Sequence, residues 1–155
     1  LALTSDPSLY ELTEESAYLE GCYDPCDCLL VLNPTLQGSF LLITLSQGDH
    51  NTLYKVVDID WQFVTEDGPI FVTGSGTYLT DSGQHQLVLD LVVGESPEQR
   101  FDSGLVPIPE EFPGIDIAVA LNGFYCYDHV FDLKAHLAPV DFSPFRWGSL
   151  KAIYR

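Results

Sequence analysis

TLYKVVDIDWQFV, residues 52–64, decides the fold class. Val57, Ile59, Trp61 and Phe63 fall on one side of this stretch, and Asp58, Asp60 and Gln62 on the other. That period of two is the signature of a strand with one face in a core and one in water. The same grammar repeats outward in both directions. Downstream, Thr65-Glu66-Asp67-Gly68-Pro69 is a turn by composition, and a strand follows over 70–80 with Gly74 and Gly76 inside it. Asp81-Ser82-Gly83 turns into 85–93, where Leu87, Leu89, Leu91 and Val93 share a face. After a loop at 94–98 comes a weaker strand over 99–106. Pro107, Pro109 and Pro113 then rule out a central strand between 107 and 114. A strand over 115–121 meets Asn122-Gly123, a two-residue hairpin signal, and continues into 124–135. A last strand is expected near 148–154, and upstream 36–45 is a strand closed by the loop 46–51.

Helical periodicity is nearly absent. The best candidate is 11–19, with Thr13 as a cap ahead of Glu14, Glu15 and Ser16, but Gly21 follows closely and one turn or a strand fits equally. About eight or nine antiparallel strands joined mostly by short turns imply one all-β domain over 1–155, with 1–21 as an N-terminal arm. The Pro-rich crossover at 106–114 favours an antiparallel β-sandwich, with an up-and-down β-barrel as the alternative.

The four cysteines staple this domain. Cys22, Cys26 and Cys28 crowd into GCYDPCDC, residues 21–28, and Cys126 stands alone about a hundred positions later. Two disulfides follow, with the segment 22–32 clasped over the strand that carries Cys126. A Cys26–Cys28 bridge would span one residue and is the least favourable pairing. Cys22 therefore pairs with Cys26 or Cys28, and the remaining cysteine reaches Cys126. The rival, a four-thiolate zinc site, lacks the usual pair of Cys-x2-Cys knuckles. Disulfides imply an extracellular or cell-surface location, and the start at Leu1-Ala2-Leu3 reads as a mature chain after removal of a signal peptide.

Six basic residues against twenty-three acidic ones give a formal charge of −17, which repels a phosphate backbone and excludes nucleic acid as a partner. No apolar run is long enough for a membrane-spanning helix, and an outer-membrane barrel fits poorly with the acidic strands. Asp58, Asp60, Asp128 and Asp132 crowd the polar strand faces and are the candidate ligands of a structural calcium, with acidic loops at 24–27, 66–67 and 110–111. Asp58 and Asp60 also have the spacing of a glycosidase pair, although adjacent strand carboxylates facing water are the ordinary case.

Of His50, His85, His129 and His136, two lie at turns, and His129 falls on an apolar strand face as a hydrogen-bonded core residue. Trp61, Phe63, Tyr127 and Phe131 read as core, whereas Tyr10, Tyr18, Tyr23, Tyr54, Tyr78 and Tyr125 are open to stacking roles. No nucleophile elbow or free thiol is evident, so the expectation is no enzyme and no cofactor beyond calcium. The leading functional reading is a secreted or cell-surface domain acting by contact: structural, adhesive or self-assembling. Its arm, through Leu9-Tyr10-Glu11-Leu12, would pair with a neighbouring copy. The alternative is an extracellular module for carbohydrate or a small ligand, bound on a sheet face or in a barrel mouth.

Overall fold

The computed structural model describes residues 7–28, 32–110 and 114–138. The strand expected near 148–154, the Leu1-Ala2-Leu3 start, Glu111 and Pro113 lie outside these residues. Ten strands form one antiparallel sheet: β1 (Ser8–Leu12), β2 (Ala17–Tyr23), β3 (Gln37–Gln47), β4 (Asn51–Thr65), β5 (Gly68–Asp81), β6 (Gln84–Val93), β7 (Gln99–Asp102), β8 (Val106–Pro107), β9 (Ile115–Ala120) and β10 (Cys126–Leu137).

The pairing runs β1-β3-β4-β5-β6-β7-β9-β10, and β10 bonds back to β1 through Tyr10↔Leu137 and Leu12↔Ala135. The hydrogen-bonded path thus returns to its start, with β7 and β9 joined at the single pair Asp102↔Ala120. The all-β antiparallel expectation holds. The connectivity is that of the up-and-down alternative, while facing parts of the one sheet pack across a shared core, as in a sandwich. Trp61 of β4 meets Phe131 of β10 at 5.7 Å between ring centroids, and Phe101 of β7 meets the same ring at 5.2 Å.

No helix forms at 11–19. Thr13–Ser16 is a turn, with Ser16 N–H donating to Thr13 O at 3.0 Å. Buried Ser16 then bonds the Lys134 backbone twice: its hydroxyl donates to Lys134 O at 3.1 Å and accepts from Lys134 N–H at 2.9 Å. This side chain replaces the ladder where the chain bends, so β1 and β2 run in succession along one side of β10. Residues 9–12, expected as a donor strand, are accordingly held on both sides within their own sheet, by β3 and β10.

The alternation in β4 is interrupted. Val56 pairs with Gly76 and Ile59 with Gly74, so two residues bulge opposite one, and Asp58 takes a φ of 55°. The bulge moves the inward face from Val56 to Ile59, Trp61 and Phe63, and Val57, expected inward, lies outside the buried set. Gly76 is required on the neighbouring strand: a Cβ there would sit 2.0 Å from Val88 O and 2.9 Å from a Leu89 methyl.

His85 is the largest polar group of the core, 1% exposed, with Nδ1 2.7 Å from the Tyr78 hydroxyl. Burial pushes the Tyr78 phenol up and the His85 imidazole down, the latter partly offset by Asp116. The phenol therefore stays protonated and donates to a neutral ring. The sign follows: the unfolded state takes up the proton first, so stability falls as pH drops below about 6.5. We expect His85→Phe to flatten the fall in melting temperature between about pH 7 and pH 5. Parallel profiles for the two proteins would refute a neutral buried imidazole.

Candidate functional site at the open end of the barrel

The bridges are Cys22–Cys28 and Cys26–Cys126, one of the two favoured pairings, and no cysteine is free. β2 carries Cys22 along β10 in the register Tyr127↔Cys22 and Cys126↔Tyr23. A turn at Asp24-Pro25, whose peptide is cis, brings Cys26 N–H to Tyr23 O at 2.9 Å. The N-terminal segment therefore extends the sheet at this corner, and the clasp sits at the sheet's end with Cys26 and Cys28 exposed. Cys26 is exposed and Cys126 half-buried, so the bridge that joins them stands at the surface.

Asp128 corrects a second expectation. It is 0% exposed, although alternation put it in water. Its Oδ1 accepts from Asn122 N–H and His129 N–H, and its Oδ2 from Phe124 N–H, each at 2.7 Å. The loop 121–125 folds over this carboxylate, with Gly123 and Phe124 at positive φ, in place of the two-residue hairpin expected at Asn122-Gly123. Tyr23 packs edge-on against Phe124 at 5.8 Å. Tyr127, expected in the core, is 43% exposed, and Tyr125 is 61% exposed.

The calcium candidates do not converge. Asp58, in the β4 bulge, and Asp60 beyond it line a shallow cleft with Leu9, Ser39, Leu41 and Thr73. On β10, Asp128 is occupied by backbone donors. Burial, then Asp116, raises the Asp132 carboxyl, while Lys134 opposes them. Among the described residues no group of three or more His, Cys, Asp or Glu side chains is placed to hold a metal ion. We therefore expect added salt to raise the melting temperature by screening the −17 formal charge. Calcium exceeding magnesium at matched ionic strength would point to a specific site, and equal shifts to screening alone.

The meander gathers β2, the 66–67 turn, the 94–98 loop and the 121–125 loop at one end. A cleft of about 550 Å³ opens there, and its apolar wall is Tyr18, Leu32, Phe63, Ile70 and Val93. Glu20, Glu66, Asp67 and Glu95 add carboxylates. A second recess of about 340 Å³ shares Tyr18, Glu20, Val93 and Ser96 and continues to Phe101, Leu121 and His129. Tyr18 stacks on Phe63 with centroids 4.4 Å apart.

A polar chain crosses this wall. The Tyr18 hydroxyl donates to Glu20 Oε1 at 3.1 Å and lies 2.8 Å from His129 Nδ1. The hydroxyl thus bridges the Glu20 carboxylate and the His129 ring. The Tyr127 hydroxyl donates to Glu20 Oε2. Burial, then the Glu20 charge, pushes the Tyr18 phenol far up, so it stays a donor across the accessible pH range. This set can hold a ligand by apolar contact, hydrogen bonding and charge.

His129 meets its expectation as a hydrogen-bonded residue, though its side chain is 30% exposed rather than deeply buried. Tyr18 and Glu66–Asp67 drew notice in the sequence as an unassigned tyrosine and an acidic loop, whereas Glu20, Leu32 and Ser96 did not. The signal for Glu20 was present: in AYLEGCY, residues 17–23, Tyr18, Glu20 and Cys22 share one strand face.

Comparison with family models, curated proteins and solved structures finds no match for this chain.

Proposed function

We propose that the chain is an exported, non-catalytic binding domain whose small ligand enters the open end of the barrel. The observation that supports this reading is the cleft at Tyr18, Phe63 and Val93. It combines an apolar wall, a few convergent polar groups and a volume of about 550 Å³, within the usual range for ligand sites. Export is in keeping with the two disulfides, which are consistent with an extracellular location. Binding without chemistry accords with four paired cysteines and a phenol held protonated.

The test is a thermal-shift and NMR titration with small aryl, alkyl and sugar probes, repeated on Ser96→Trp, which places a bulky side chain at the rim without entering the core. Binding in the parent that disappears in the variant supports the reading. No binding by any probe, or binding unchanged in Ser96→Trp, would sink it.

A second reading, contact with another copy or an extracellular matrix, has its own observation. Leu9, Leu41 and Val57 align across β1, β3 and β4 on the outer face, next to the Asp58 bulge. With β1 already paired on both sides, this contact would use the sheet face rather than a donated strand. Sedimentation over a hundred-fold concentration range tests it, since a strict monomer throughout would count against self-assembly.

A further inference from the structure

We propose that the open end of the barrel selects a small organic cation carrying an apolar body, such as an arylalkylamine. This rests on the reading of the cleft as a binding site and adds the ligand's chemical class. The apolar wall of Tyr18, Phe63 and Val93 sets the body of the ligand. The charge is set by Glu66, Asp67 and Glu95, which come from two separate turns onto the same rim.

No lysine or arginine lines either recess among the described residues. Arg100 is bonded in two places to Asp90, at 2.9 and 3.1 Å. Lys134 lies 3.6 Å from Asp116 and from Glu15, on the outer face of β10. Among the described residues no cation therefore shields the rim carboxylates, and a ligand cation held beside the partly desolvated apolar wall gains from their charge. Glu20 deepens the potential inside, since its partners are two neutral hydroxyls and a histidine. An anionic ligand of the same shape meets repulsion from the carboxylates of Glu20, Glu66, Asp67 and Glu95.

The experiment is isothermal titration calorimetry at low ionic strength with four probes: 3-phenylpropylamine, 3-phenylpropan-1-ol, 3-phenylpropionate and propylamine. We expect the arylamine to bind about tenfold tighter than the alcohol, a difference of about 1.4 kcal/mol, and the carboxylate not to bind measurably. The variant Glu66→Gln/Asp67→Asn/Glu95→Gln, altered only at exposed turn positions, should keep the alcohol's affinity and lose the amine's advantage. Equal binding of amine and alcohol would overturn the charge selection while leaving a ligand site. Propylamine binding as tightly as the arylamine would overturn it too, by showing general attraction to an acidic protein without use of the wall. Failure of all four probes would remove the site reading itself.

Discussion

Breaking the Cys26–Cys126 bridge should destabilise the protein by about 4–5 kcal/mol, and breaking Cys22–Cys28 by only about 2 kcal/mol. The bridges differ in sequence separation, 100 residues against 6, and in the chain-entropy view a longer closed loop restrains more of the unfolded ensemble. The long bridge also fixes the corner where β2 meets β10 and where the 121–125 loop wraps Asp128. The comparison uses two double variants, Cys26→Ala/Cys126→Ala and Cys22→Ala/Cys28→Ala, each unfolded by denaturant against the oxidised parent. Equal losses would show that local packing at the clasp, rather than loop closure, sets the contribution. A long-bridge variant within about 0.5 kcal/mol of the parent would remove the clasp from any account of stability.

The strands were legible because a half-buried strand writes its period directly into the residues. In β6, Leu87, Leu89 and Leu91 alternate without a break, and the structure buries all three. What the alternation could not carry is a change of phase. A bulge is an extra residue on one strand relative to its partner, and nothing in the run 56–59 announces which residue is extra. Asp128 failed for a related reason. A carboxylate filled by three backbone N–H groups is chemically content in the interior, yet in a sequence it looks like any solvated aspartate.

The open cleft was harder still to see. Its wall comes from β2, β4, β5, β6 and Leu32 between strands, and its carboxylates from β2 and from two turns separated by nearly thirty residues. Each contributor resembles ordinary strand or turn material by itself. Only the closure of the sheet through β1 and β10 brings them to one end. The same closure withdrew residues 9–12 from the role of a donor strand, since both of their edges are occupied at home.

Trp61→Ala should cost about 3–5 kcal/mol, because the indole is 1% exposed and stands at the centre of the aromatic core. It meets Phe40 edge-on at 6.2 Å and Phe131 at 5.7 Å. It also lies over Gly38, where a Cβ would come within 2.9 Å of the indole ring. Removing it leaves a cavity walled by strands whose mutual hydrogen bonds prevent them from closing in. Trp61→Phe should cost less than half as much, since it keeps much of the volume and deletes an indole N–H that has no partner among the described residues. A companion pair reads the bulge: Val56→Ala should be clearly more harmful than Val57→Ala, since Val56 is buried and Val57 is not. The reverse order, or a neutral Trp61→Ala, would mean that β4 keeps one uninterrupted phase through Asp58 and that its inward face differs from the one described.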